Sequence, residues 1–333
     1  MESFKNIEDI FEAYNNLRVL IIGDVMIDSY ITGIVERMSP EAPVPVVLVK
    51  DKDDRLGGAA NVALNIKAMG AHPILCSVIG EDIAGEKFVT LLNNQGLSTE
   101  GILHSANKRT TVKTRIINNK HQMLRLDEED ENPLTIDERT TLIAKIKTII
   151  AAGIEVIIFE DYDKGTIDKA LIREIVAIAT EAKIPIAVDP KKKNFNDYNN
   201  VSLFKPNLKE LKEGLKTEII KPTVANLIKA TSLLHEERGI KMVMITLSEE
   251  GIYMSDGKLQ DIFPAHVRNI VDVSGAGDTV ISVAALSLAL GLSPKIIGIL
   301  ANLSGGLVCE KAGVVPIDKL QLLEEARQMP LFD

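Results

Sequence analysis

The stretch Asp272-Val273-Ser274-Gly275-Ala276-Gly277-Asp278-Thr279 sets two glycines and two carboxylates directly before an apolar run from Val280 to Leu290 that stops at Gly291. A run of small and aliphatic residues closed by glycine reads as a buried helix, so the glycines open it. Gly275 and Gly277 let backbone come close to a ligand, and the unpaired N–H groups of a first helical turn favour an anion such as a phosphate. Gly275, Ala276 and Gly277 are therefore candidates for an anion hole. Asp278 beside them is a candidate general base, able to take a proton from an attacking hydroxyl. A plain helix cap at Asp278 behind a tight turn fits the same residues.

Other polar residues fall where strands should end. Arg18–Gly23 is a short apolar run ending in glycine, as in a strand buried on both faces, and it delivers Asp24 and Asp28. Ligands of open α/β sheets sit at such ends, so Asp28 is a candidate for substrate hydroxyls, while either Asp, and Asp24 above all, could cap a turn. Gly57 and Gly58 open a helix ending at Gly70 and could approach a ligand, with Asn61 pointing back at it; a close-packed helix start fits the same residues. Asp161 with Lys164, Asp189 with Lys191, Asn207 with Glu210, and Thr246 close later strands and should converge on one rim. Asn207 and Glu210 share a helix face and could position magnesium through water; a cap beside a solvated Glu is the other reading. Arg109, Lys113, Arg115 and Arg125 alternate with apolar residues on a strand that could receive an anion, or that simply carries edge charges. Asp127–Glu131 and Lys191–Lys193 read as solvated loops.

The elements that position these groups follow from pattern. Strands alternate with helices through the second half, which predicts a mainly parallel sheet covered on both faces. Residues 29–50, with prolines at 40, 43 and 45, and residues 105–127, with a turn at Asn118–Lys120, read as a β-flap outside that sheet. The whole chain of 333 residues is expected to be one domain. A net charge of −9 excludes a basic nucleic-acid footprint, and 46% hydrophobic residues exclude disorder. No window reaches the roughly 18 uncharged apolar residues of a membrane helix, and the N-terminus lacks a signal-peptide core. Two cysteines in apolar settings, Cys76 and Cys309, suit a reducing cytoplasm.

Gly57-Gly58-Ala59-Ala60-Asn61-Val62-Ala63 and Asp272-Val273-Ser274-Gly275-Ala276-Gly277-Asp278 together resemble the two signatures of the PfkB (ribokinase-like) sugar kinases, with Asn207-x-x-Glu210 between them. Val283 departs from the usual Ala or Gly. The resemblance spans essentially the whole chain and implies a three-layer α/β/α sandwich with a β-flap lid and phosphoryl transfer from ATP with Mg2+. Within that family, Gly23–Tyr30, Arg37–Val47, Arg109–Arg115 and Leu124–Asp127 look most like the D-glycero-β-D-manno-heptose 7-phosphate kinases of lipopolysaccharide core synthesis. No His-x-Gly-His motif is present, so a kinase without a nucleotidyltransferase domain is expected. By resemblance, Asp278 is the base, Asp28, Gly57, Gly58 and Asn61 hold the sugar, and Asn207, Glu210, Thr246, Gly251 and Asn302 serve the nucleotide and magnesium. Asp272 and Ser274 are candidates for a monovalent-cation (K+) site. Arg37, Arg109, Lys113 and Arg125 are assigned to the substrate's phosphate, and a homodimer through the flap is expected. Another sugar kinase, acting on fructose, ribose or 2-keto-3-deoxygluconate, and a catalytically silent binding protein are the alternatives.

Overall fold

The computed structural model describes residues 4–119 and 121–331. The chain runs α1 (Ile7–Ala13), β1 (Arg18–Gly23), β2 (Val25–Met38), β3 (Pro45–Gly58), α2 (Ala59–Ala68), β4 (His72–Gly80), α3 (Ile83–Asn94), β5 (Ile102–Ser105), β6 (Thr111–Asn118), β7 (His121–Glu128) and α4 (Ile136–Ala151). It continues with β8 (Val156–Glu160), α5 (Lys169–Ala182), β9 (Ile186–Asp189), β10 (Leu203–Phe204), α6 (Leu208–Leu215), α7 (Val224–Arg238), β11 (Met242–Thr246), β12 (Ile252–Ser255), β13 (Gln260–Phe263), α8 (Ala276–Ala289), α9 (Pro294–Cys309) and α10 (Lys319–Ala326).

Continuous apolar runs make the central strands. Val19, Leu20, Ile21 and Ile22 are all fully buried, because helices cover both faces of the sheet. Alternate residues take opposite sides: Val19 and Ile21 join a core with α2, α8 and α9, whereas Leu20 and Ile22 join one with α4, α5 and α7. The sheet has nine strands in the order β13-β12-β11-β10-β9-β8-β1-β4-β5, with β12 antiparallel to its neighbours and the other pairings parallel. This is the three-layer α/β/α sandwich.

The flap is a second sheet, ordered β3-β2-β6-β7. It is larger than the sequence suggests. β2 begins at Val25, directly after β1, and pairs with β3 as far as Gly58, so Gly57 and Gly58 end a strand instead of forming a loop. The prolines fit an edge: β3 is an outer strand and Pro45 its first residue. Asn119 takes the left-handed conformation at the tip (φ 47°), and Lys120, the last residue of the expected turn, lies outside the described residues.

Helix α8 is buried on nearly all sides from Asp278 to Leu288, which accounts for its small and aliphatic composition. Gly275 precedes it with φ 79° and no side chain caps its start. Val283 is fully buried in this helix.

Candidate active site

Asp278 lies in the first turn of α8, 5% exposed. Asn61 Nδ2, from the first turn of α2, donates to its Oδ2 at 2.7 Å, and the Tyr162 hydroxyl donates to its Oδ1 at 2.7 Å. Burial raises the Asp278 carboxyl to about 6, against the opposing pull of these two hydrogen bonds. It is thus ionised at neutral pH and basic enough to take a proton. Asn61, expected on the sugar, gives its amide to the Asp278 carboxylate here. Asn65 ties this arrangement down: its Nδ2 donates to the Asn61 carbonyl at 2.9 Å, and its Oδ1 accepts from Thr279 Oγ1 at 3.1 Å and from the Ile317 amide at 2.9 Å.

The strand ends beneath α8 carry more charge than sequence reasoning assigned. Gly23, Glu160 and Asp189 are register partners on β1, β8 and β9 and so share one face, the one α8 covers. Glu160 is fully buried, and both its carboxylate oxygens and Asp189 Oδ1 have no hydrogen-bond partner. Burial, with Asp189 and Asp278 nearby, pushes Glu160 well above the usual carboxylate range. Lys205, 2% exposed, balances part of this charge through Asp189 Oδ2 at 2.7 Å. A Cβ on Gly277 would stand 3.8 Å from both Asp189 Oδ2 and Lys205 Nζ, so the glycine turn faces this buried pair.

Lys191 is not the solvated residue its loop suggested. It donates to Glu210 Oε1 and lies 5.1 Å from the centre of the Tyr162 ring. Glu210 is 9% exposed, and its other oxygen accepts the Asn207 amide at 2.9 Å while the Asn207 side chain accepts the Glu210 amide at 2.9 Å. This reciprocal cap corrects the reading of a solvated Glu. Thr246 sits beside Asn207, bridged to it at the end of β11. Gly251 follows the next turn with its Cα against the Phe263 carbonyl, and Asn302 Nδ2 donates to the Phe263 and Pro264 carbonyls at 3.3 and 2.8 Å. Gly251 and Asn302 thus share the 263–264 segment.

Asp28 is 4% exposed and accepts from Arg115 at 2.5 Å. Its other oxygen lies on the Gly57 Cα where any Cβ would stand, which is why glycine is required there. Gly58 (φ 59°) is the last residue of β3 and directly precedes α2. Tyr30 has Arg55 and Arg115 over its ring at 5.1 and 5.3 Å. Asp24 accepts the amides of Tyr162, Lys164 and Thr166 at 2.9, 3.0 and 3.0 Å, a turn-organising role.

The structure does not gather Arg37, Arg109, Lys113 and Arg125 into one clamp. Arg37 is exposed at the outer end of β2, nine strand positions or about 30 Å beyond Asp28. Lys113 is the register partner of Asp28, but it is paired with Asp127 at 3.2 Å and Glu129 at 2.9 Å. Arg125 pairs with Asp127 at 2.9 Å and Arg109 with Glu128 at 3.4 Å. The acidic segment is accordingly no free loop; Lys164 also reaches Glu129, at 2.9 Å. Asp272 spends its oxygens on the Ser274 and Gly313 amides, at 3.0 and 2.9 Å, joining the glycine turn to the loop after α9.

A family profile for pfkB family carbohydrate kinases matches residues 16–319. The chain belongs to the pfkB family. The pfkB chain is 37% identical over 324 residues to the bifunctional protein HldE of Methylobacillus flagellatus, covering 97% of this chain and 66% of that one. With the protein of the same description from Helicobacter pylori strain J99 it shares 40% identity over 297 residues, covering 89% and 63%. It therefore spans less than two thirds of these relatives' length. In fold it is similar to phosphofructokinase-2 from Escherichia coli, solved in complex with fructose-6-phosphate, with a TM-score of 0.76, 18% identity and coverage of 94% and 98%. As a pfkB protein it is a phosphotransferase with an alcohol acceptor. Among the described residues no helix is long and apolar enough to cross a membrane.

Sequence reasoning missed Tyr162, Asn65, Glu160 and Lys205. Tyr162 had one signal, an amphipathic ring at a strand's C-terminal end between Asp161 and Lys164.

Proposed function

We propose that this pfkB kinase domain transfers the γ-phosphoryl group of ATP to the anomeric hydroxyl of D-glycero-β-D-manno-heptose 7-phosphate, giving heptose 1,7-bisphosphate for lipopolysaccharide core synthesis in the cytoplasm. The observation that carries the reading is Asp278: a buried carboxylate, poised near 6 and held by Asn61 and Tyr162, in the first turn of a glycine-opened helix. The sugar is supported by the sequence likeness to heptose 7-phosphate kinases and by the similarity to HldE over nearly the whole chain.

The steps follow from the geometry. Asp278 accepts the proton of the anomeric hydroxyl, whose oxygen forms the new bond to the γ-phosphorus as the bond to the ADP oxygen breaks. The Ala276–Asp278 helix start and Lys205 take up the negative charge of the transferred group. Asp28, fixed by Arg115, and the Gly57–Gly58 backbone bind sugar hydroxyls. Lys113, on the same lid face as Asp28, receives the 7-phosphate when Asp127 and Glu129 give way. Thr246, Gly251 and Asn302 lie along the nucleotide.

Magnesium fits this site. Three buried carboxylate oxygens without a partner, on Glu160 and Asp189, are hard donors of the kind it takes, and Glu210 stands beside Lys191 to hold its water. Bound magnesium would neutralise phosphate charge. The Asp272–Ser274 turn is the proposed place for a monovalent cation. The lid exposes Met38, Leu48, Val49, Leu124 and Leu126, an apolar set suited to a second copy of the chain.

The test is ADP release against a panel of sugars and sugar phosphates, with the product followed by phosphorus NMR. Turnover with heptose 7-phosphate and a new anomeric phosphate is expected; turnover of ribose or fructose 6-phosphate with none of heptose 7-phosphate would overturn the choice of sugar.

A further inference from the structure

The base shares its carboxylate with a residue that no family signature supplies. Tyr162 lies two residues past the last residue of β8, in Glu160-Asp161-Tyr162-Asp163-Lys164-Gly165. Its backbone is fixed because Asp24, 1% exposed, accepts three amides from residues 162–166. Its ring is fixed by the Lys191 ammonium, itself held by Glu210. Both constraints aim the hydroxyl at Asp278 Oδ1, 2.7 Å away, on the oxygen that Asn61 leaves free.

We propose that Tyr162 is a positioning residue of the transfer reaction: its hydroxyl orients the Asp278 carboxylate toward the incoming alcohol and ties the base, through Lys191, to Glu210 on the proposed nucleotide side. The inference rests on Asp278 being the base. A phenol carries its proton at neutral pH and an ionised carboxylate only accepts, so at 2.7 Å the Tyr162 hydroxyl is the donor and Asp278 Oδ1 the acceptor. A donor to the ionised form favours that form, which keeps Asp278 deprotonated at a lower pH than burial alone would allow. The charged groups around Asp278 are Glu160 from β8, Asp189 from β9, and Lys205 and Lys191 from the loops that follow. Helix α2 contributes the neutral Asn61, and the one charged residue of α9, Lys295, lies in its first turn, far from its C-terminal end near Val271.

The experiment compares pH profiles of kcat/KM for the wild type, Tyr162→Phe and Asp278→Asn, with the sugar that the wild type turns over. Tyr162→Phe keeps the ring over Lys191 and removes one oxygen. It should lower kcat about tenfold with KM values nearly unchanged, and move the acid limb up by about one pH unit, the size of one hydrogen bond to a charged group. Site-specific 3-fluorotyrosine at 162, a stronger donor, should move the limb the other way. A Tyr162→Phe enzyme with wild-type kcat and an unmoved limb, beside an inactive Asp278→Asn, would overturn the inference alone. Near-normal turnover by Asp278→Asn would overturn the base and the inference together. A fluorotyrosine enzyme whose limb stays in place would reduce Tyr162 to packing, even if Tyr162→Phe failed to fold.

Discussion

The two charged regions of this kinase are built on opposite principles. Under α8, Glu160, Asp189 and Asp278 crowd a buried face with Lys205 paired to one of them, and three carboxylate oxygens there have no partner. On the lid, each cation that sequence reasoning offered to a phosphate and that lies on β6, β7 or just before them faces an acid of its own: Lys113 with Asp127 and Glu129, Arg125 with Asp127, Arg109 with Glu128. The first region leaves buried carboxylate oxygens unpaired. The second is self-neutralised and exposed to water, so a ligand there must displace an acid to gain a contact. The lesson is that a row of cations in the sequence does not by itself mark a free anion site, because its acids can lie across the sheet; burial and pairing separate the two regions.

The largest expected effect falls in the buried region. Asp278→Asn should lose on the order of a thousandfold in kcat while still binding ATP, as measured by coupled ADP release and calorimetry. Near-normal turnover would remove the base. Next, Lys205→Met should destabilise the fold by about 3 kcal/mol in urea unfolding, since it takes from the buried Asp189 its direct ion-pair partner. Arg125→Met, whose side chain is 51% exposed, should cost under about 1 kcal/mol. Equal losses at the two positions would erase the contrast between the regions. Lys113→Ala should raise KM for the phosphorylated sugar about tenfold with KM for ATP unchanged, and Glu129→Gln should lower it a few-fold by freeing Lys113. An Arg109→Ala effect larger than that of Lys113→Ala would move the phosphate end along the strand.

Much of the fold was legible because its signals are local. Arg18–Gly23 could only be a doubly covered strand, and the Gly275–Asp278 turn announced the helix behind it. The prolines marked β3 as an edge. What stayed hidden depends on parity and partners. Glu160 and Asp161 are adjacent acids at one strand end, yet Glu160 faces α8 while Asp161 meets Asn194 Nδ2 at 2.9 Å and the Tyr198 hydroxyl at 3.0 Å. No composition distinguishes them; the sheet register does. The lid pairs were hidden by a bulge: a turn at Asn118–Lys120 alone would set Lys113 opposite Arg125, and the observed register, shifted at Ile116/Ile117, brings Asp127 opposite it instead. Asn61 was found, but its bond to the Asp278 carboxylate was not, since a helix-start amide looks the same in sequence whatever it meets.

As the base, Asp278 has to be ionised to accept a proton. With its carboxyl held at about 6, the reactive form grows as pH rises through that value, so kcat/KM for the sugar should climb with unit slope from pH 5 and level off above pH 7. The wild-type pH profile is the direct measurement. An acid limb centred near pH 6 that is absent from the residual activity of Asp278→Asn is the predicted result; a limb near pH 4, or one that persists in Asp278→Asn, would contradict it.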